Sequence, residues 1–260
     1  MKRTKLLSLV LAIIMLAAVL TACGGGAANG GNANDGETKK VLTVATNAEF
    51  PPFEYFEGEK IVGADIDMME AIAEKMGVTL EITHIDFDAA LTGAATGKYD
   101  IALSGITAND ERRKNMAFTD DYYVASQAVI VMAEGEYKKV EDLAGKTISC
   151  QEGTTGEQYL LDNEYKVQSF KTGAEAISAL TAGKVDAVVI DDAVAKALSE
   201  KQNGKTVVLD EPMTKENYAI ATKLGNDELI SEINAALAEI KADGTLAKIF
   251  EKYELAFDAE

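Results

Sequence analysis

The sequence predicts an α/β protein of two lobes, joined by two crossings of the chain around a cleft. Three observations predict it. From about residue 41 onward, apolar strand patterns alternate with helical ones, the pattern of a parallel α/β sheet. A helix, a Gly-Lys turn and an apolar strand led by Asp occur as "AALTGAATGKYDIALSG" and again as "AISALTAGKVDAVVID", which suggests two similar lobes. The C-terminal region adds a strand and two amphipathic helices. If these pack back on the first lobe, the chain crosses between lobes twice, near 122–126 and 215–219.

The elements follow in order. "KVLTVATN" alternates and is β-branched, a strand. "ADIDMMEAIAEKMGV" carries Ile66, Met69, Ile72, Ala73 and Met76 at helical spacing, with Gly77 as the stop. "TLEITHI" reads as a strand, "DFDAALTGAATGK" as a shorter helix and "YDIALSGI" as a strand. The second set runs through strands "SQAVIVMAEG" and "GKTISCQEG", a helix opened by "TTGEQYLLDN", the strand "YKVQSFK", the helix "GAEAISALTAGK" and the buried strand "VDAVVIDD". "DAVAKALSEK" is helical, "TVVLDE" extended, and "ENYAIATKL" a strand. "NDELISEINAALAEIKADGTLAKIFEKY" reads as two helices split at Asp243-Gly244.

Ahead of this body, "MKRTK" is basic, "LLSLVLAIIMLAAVL" is an apolar run of 15 residues, and small residues precede Cys23. That order describes a secretory signal peptide over residues 1–22; the run is short for a membrane-spanning helix, the competing reading. Leu20-Thr21-Ala22-Cys23 resembles the lipobox of bacterial lipoproteins, which implies a lipid on Cys23 and cleavage before it. Residues 23–40 are poor in large apolar side chains and read as a flexible tether, spanning roughly 20–25 Å. The formal net charge is −18, and losing Lys2, Arg3 and Lys5 takes it to −21. Such acidity argues against nucleic acid or an anionic membrane surface as a partner. Cys150 is the only cysteine beyond Cys23, so no disulfide is expected within the body, and it reads as a small buried hydrophobe. His84, the single histidine, has neither Cys nor a second His to bind metal with it; no metal or cofactor is expected.

Ligands of open α/β sheets bind beyond the carboxyl ends of the strands. In "SGITANDERR", Gly105 leaves its backbone open and Thr107 adds a hydroxyl, while Asn109 or Asp110 caps a helix starting at Glu111. Arg112 and Arg113 are the only arginines after Arg3. About 100° apart on a helix, only one can face the cleft. A guanidinium there suits a carboxylate, with an ion pair to Asp120 or Asp121 as the alternative. "QEGTTGEQ" opens a helix whose free N–H groups favour an anion. "VVIDD" ends a buried strand in two acids, one able to accept an ammonium group or to cap the next helix. "NAEFPPFEY" offers Phe50 and Phe53, one for a ligand wall and one for the core. Together these describe an α-amino-acid site.

The same segments, with "GADIDMMEAIAEKMGV" and "DGTLAKIFEKY", resemble family 3 of the bacterial extracellular solute-binding proteins, the polar amino-acid receptors of ABC importers. The resemblance runs from about residue 41 to 253. It implies a type II periplasmic-binding fold, with lobe 1 at 41–123 plus 218–260 and lobe 2 at 124–217. By motif position it gives Arg112 the ligand α-carboxylate and leaves Arg113 a bystander. It gives Thr107 the hydroxyl, Gly105 the backbone acceptor for the ammonium group, Thr155 the backbone N–H donor, Asp191 the ammonium-binding carboxylate, and Phe50 and Phe87 the walls. Asn47 stands where several relatives have Asp, and Gln151 and Ile190 replace residues that often read a side-chain amide. Glu49 and Asp65 remain as acids for the side-chain end.

The function expected is a monomeric receptor, anchored outside the cell membrane through Cys23, that binds a free polar or basic L-amino acid and delivers it to an ABC permease. The lean is to a basic side chain, because two acids beside aromatic walls suit a cation and Ile190 offers no donor. Two alternatives use the same fold: an enzyme similar to cyclohexadienyl dehydratase, and a sensory lipoprotein without transport.

Overall fold

The computed structural model describes residues 40–256; the predicted signal peptide, Cys23 and the tether as far as residue 39 lie outside the described residues. Two five-stranded sheets organise the body, and they share one plan. In the first, Thr79–His84, Val41–Thr46 and Ile101–Ala102 run parallel, followed by Ala221–Lys223 antiparallel to its neighbours and then Met116–Phe118. In the second, Lys166–Phe170, Thr147–Gln151 and Ala187–Asp191 run parallel, followed by Gln127–Met132 and Thr206–Val208, each antiparallel to the strand before it. The repeated sequence cadence is the third parallel strand of each sheet with the helix before it, Phe87–Thr96 in one and Gly173–Thr181 in the other.

Between the sheets lies an antiparallel pair of short strands, Tyr123–Ala125 and Glu216–Tyr218, with Tyr218 opposite Tyr123. "ENYAIATKL" is therefore not one strand. Its first part joins this pair and its second, Ala221–Lys223, enters the first sheet.

The central strands of both sheets are buried on both faces, which is why they read as apolar runs, while the outer strands Thr79–His84 and Lys166–Phe170 stay partly exposed. In the second sheet the period of two is explicit. Val129, Val131, Ala187 and Val189 pack on one side with Leu143, Cys150 and Leu160, while Ile130, Val188 and Ile190 pack on the other with Ile177, Leu180 and Leu198. The helix Ala64–Met76 buries Ile66, Met68, Met69, Ile72 and Ala73, at about 1.5–3 kcal/mol for each large side chain, and stops at Gly77 in the left-handed conformation.

One local expectation differs from the structure, and one segment gains elements the sequence did not predict. The predicted helix from Glu111 is a single 3-10 turn, Arg112–Lys114, because Asn115 N–H bonds back to Arg112 O and the chain then extends into the sheet strand Met116–Phe118. The segment after Asn47, for which the sequence predicts no element, forms strands. Glu49–Phe50, Glu54–Glu57 and Lys60–Val62 form a small antiparallel sheet, too short and too interrupted by Pro51 and Pro52 to show a strand period.

Candidate functional site

The carboxyl ends of the parallel strands of both sheets converge on one cavity. From the first sheet come Asn47, Ser104, Gly105, Thr107 and Arg112, with Phe50 and Phe87 as walls; from the second come Gln151, Thr154, Thr155 and Asp191. The free volume between them is about 10 Å3, room for about one water molecule, so the two faces are closed on each other.

Polar contacts hold that closure. The Arg112 backbone N–H donates to Asn109 Oδ1 at 2.9 Å, which fixes the turn that aims the side chain. Its guanidinium donates through Nη1 to Thr107 O at 3.0 Å and through Nη2 to Gly153 O, on the opposite face, at 3.1 Å. The same group lies 5.4 Å from the centre of the Phe87 ring, within range of a cation–π contact. Burial lowers the guanidinium's pKa, and the carboxylates of Asp191, Glu216 and Asp88 oppose that shift. Arg113 is exposed, with a longer bond from Nε to Ala108 O at 3.3 Å and its guanidinium over Phe118. Neither arginine makes the alternative ion pair with Asp120 or Asp121.

Asp191 caps the buried strand Ala187–Asp191 and faces the same cavity. Its Oδ1 accepts from Tyr218 OH at 2.6 Å. Burial first, and the charge of Glu216 second, raise its carboxyl to about 7, against the hydrogen bonds from Tyr218 and Gln127. Arg112 and Asp191 thus share one cavity without a direct ion pair. Thr155 opens the helix Thr155–Asp162, where backbone N–H groups have no acceptor within the helix, and Thr154 caps it by accepting from Glu157 N at 3.2 Å.

Gly105 has φ +53°, and a Cβ there would stand 3.0 Å from the Phe50 ring and 3.2 Å from the Tyr218 ring. Only glycine places its backbone against the cavity at this point.

At the other end, Asn47 Nδ2 donates to Ile85 O at 3.0 Å, which fixes the amide's orientation. Its Oδ1 then accepts from Gln151 Nε2 at 3.0 Å across the cleft, and Gln151 Oε1 is left buried with no partner.

Three residues expected at the side-chain end do not line the cavity. Ile190 lies on the opposite sheet face, its Cδ1 close above Gly173 of the helix Gly173–Thr181, because one step along a strand reverses the side chain. Asp65 is fully buried beneath Gly105, its Oδ2 accepting from Gly105 N at 3.0 Å and Tyr122 OH at 2.8 Å. Glu49, half-buried, sits on the small sheet opposite Tyr55. Phe53 is the core member of the phenylalanine pair, edge-on to Tyr123 and Tyr218.

Sequence reasoning gave no role to Ser104 and Thr154, each adjacent to a named candidate, and missed Glu216. This residue of the crossing strand accepts hydroxyls from Thr107 at 2.6 Å and Thr155 at 2.5 Å on one oxygen, and from Thr214 at 2.9 Å on the other. An acid two residues before the buried Tyr218 was its only signal. Among the described residues no group of three His, Cys, Asp or Glu side chains is placed to hold a metal ion.

Two similar α/β lobes closing on a small polar cavity across a strand pair define a hinged ligand-binding protein. The chain belongs to the bacterial extracellular solute-binding proteins, family 3, whose family model matches residues 42–256. It is 32% identical over 221 residues to the arginine-binding extracellular protein ArtP of Bacillus subtilis, covering 83% of this chain and 86% of that protein. It is 34% identical to ABC transporter arginine-binding protein 1 of Escherichia coli, covering 82% and 90% respectively. An ancestral arginine-binding protein, solved bound to arginine and bound to glutamine, superposes with TM-score 0.78 at 41% identity, over 83% of this chain and 98–99% of that one.

Proposed function

We propose that this protein captures a free L-amino acid between its lobes and hands it to an ABC permease, with L-arginine as the first candidate and L-glutamine the second. The observation that carries the reading is the opposition of Arg112 and Asp191 in one cavity without an ion pair between them. In this reading Arg112, with the N–H of Thr155, takes the α-carboxylate. Asp191 and the carbonyl of Gly105 take the α-ammonium group, Thr107 adds its hydroxyl, and Phe50 and Phe87 flank the side chain.

The side-chain end supports a donor-rich ligand. Asn47 Nδ2 is engaged by Ile85 O and Gln151 Nε2 by Asn47 Oδ1, so a hydrogen bond already uses a donor of each amide, while the acceptor Gln151 Oε1 is buried without a partner. A guanidinium has five N–H donors and no acceptor. The names of the arginine-binding relatives point the same way, and the ancestral protein bound to glutamine keeps an amide ligand in view. Glu49 and Asp65, which do not line the cavity, take no part in this reading.

The rest of the reading comprises lobes divided at 123/124 and 217/218, a monomer held at the membrane by a lipid on Cys23, and closure rather than chemistry as the output. A thermal-shift panel of the twenty amino acids on the 40–260 body tests it. A ligand at 100 times its Kd adds about 2.7 kcal/mol of stability, or roughly 5–11 °C in Tm for a chain of this size. No shift from any of the twenty at millimolar concentration refutes it.

A further inference from the structure

Beneath the cavity wall the first lobe buries two carboxylic acids, Glu54 and Asp65, both 0% exposed. The backbone brings them together. Ala64 N donates to Pro52 O and Asp65 N to Phe53 O, each at 3.0 Å, so the first turn of the helix Ala64–Met76 is seated against the strand that carries Glu54. Gly63 makes this approach possible: its φ is +136°, and a Cβ there would lie 2.0 Å from Phe53 O.

Each acid spends one oxygen on the cavity wall. Glu54 Oε1 accepts from Ser104 Oγ at 2.8 Å, and Ser104 Oγ in turn accepts from Asn47 N at 3.0 Å. Asp65 Oδ2 accepts from Gly105 N at 3.0 Å and Tyr122 OH at 2.8 Å. The other two oxygens, Glu54 Oε2 and Asp65 Oδ1, are buried and have no donor from any third residue. Burial, then the charge of Asp65, holds the Glu54 carboxyl well above the usual range. Burial also raises Asp65, to about 6. Tyr122 and Asp191 are further titratable groups acting on the pair, and none of the ion pairs among the described residues includes either acid. Two adjacent ionised carboxylates outside any ion pair are untenable at this depth, whereas one proton between the orphan oxygens satisfies both.

We propose that Glu54 and Asp65 share one proton, Glu54 Oε2 donating to Asp65 Oδ1, and that this protonated pair is the positioning unit that fixes Ser104 and Gly105 in the cavity wall. Asp65 then stays a carboxylate, able to accept from Gly105, Tyr122 and Glu54 together. The folded protein keeps a proton that the unfolded chain releases above its ordinary carboxyl pKa. Stability therefore falls as pH rises from that value toward the folded one. Glu54→Gln removes the Glu54 share of this dependence and leaves that of Asp191, because an amide donates to Asp65 and accepts from Ser104 without a titrating proton.

The test is difference infrared spectroscopy on the intact protein at about pH 8, above the value of about 7 for Asp191. The expected result is a protonated-carboxyl C=O stretch in wild type, retained in Asp191→Asn and lost in Glu54→Gln. Thermal melts from about pH 5 to about pH 9 should fall more steeply for wild type than for Glu54→Gln. Absence of the band in wild type, or equal pH slopes, overturns the proposal; the wild-type spectrum decides even where a variant fails to fold. The consequence for affinity rests on the amino-acid reading. Glu54→Gln should bind L-arginine close to wild type, and Glu54→Leu at least about tenfold more weakly. If wild type binds no amino acid, that reading fails while the infrared result still decides the shared proton.

Discussion

Replacing Arg112 by alanine should abolish amino-acid binding, while the same change at Arg113 should be nearly silent. The two residues are adjacent and chemically identical, so the contrast rests on placement alone. Arg112 is half-buried, lines the cavity, and holds Thr107 O and Gly153 O from opposite faces with two hydrogen bonds of 3.0 and 3.1 Å. Removing a charge-assisted partner of a ligand carboxylate in a closed cleft costs about 2–5 kcal/mol. That corresponds to about 30- to 5,000-fold in Kd. Arg113 is exposed and makes one bond of 3.3 Å to its own loop, so its loss should stay within about 0.5 kcal/mol. Arg112→Lys should also fail, because an ammonium cannot reach two acceptors as a planar fork does. Isothermal titration with L-arginine reads all three variants. Equal losses at Arg112 and Arg113, or a fully active Arg112→Lys, would refute the assignment.

Other expectations follow from the same geometry. Asp191 is raised to about 7 without ligand, so it is increasingly protonated below that pH and offers the ammonium group a weaker partner. Wild-type affinity should therefore drop as pH falls from about 7 to about 5, and Asp191→Asn should be weak and flat over the same range, measured by titration in matched buffers. Glu216→Ala removes three hydroxyl contacts that tie Thr107, Thr155 and Thr214 together, and should weaken arginine binding by about 1.5–3 kcal/mol. Small-angle scattering should show the ligand-free variant more extended than wild type; an unchanged radius of gyration counts against Glu216 as a clasp. Cys23→Ala should release the protein from membranes with ligand affinity intact, and fractionation with mass analysis of the N-terminal peptide checks this.

Much of this was legible in the sequence because parallel sheets buried on both faces leave continuous apolar runs between amphipathic helices. The repeated Gly-Lys cadence marked the same strand in both lobes. Asn47, Phe50, Gly105, Thr107, Gln151, Thr155 and Asp191 were visible as polar, small or aromatic residues at strand ends, Arg112 as one of two isolated arginines and Phe87 through the family resemblance alone, and the fold brings them to one cavity. The failures have physical causes. Ile190 and Asp191 are adjacent, and only the strand period decides which faces the cavity. Asp65 has the residue type of a ligand contact but serves one layer deeper, where its partners are a backbone N–H and a tyrosine. Glu216 and Glu54 belong to short strands without periodic signal, and their contacts to the cavity wall run to Thr107, 109 residues from Glu216, and to Ser104, 50 residues from Glu54.

The central claim is that Arg112 holds the α-carboxylate of an amino acid in the cleft. A calorimetric titration with L-arginine, then with agmatine, which keeps the guanidinium but lacks the carboxylate, tests it most directly. The account predicts that L-arginine binds and that agmatine is weaker by about 30-fold or more, the lower bound for losing the Arg112 contact. Agmatine binding as tightly as L-arginine would contradict it.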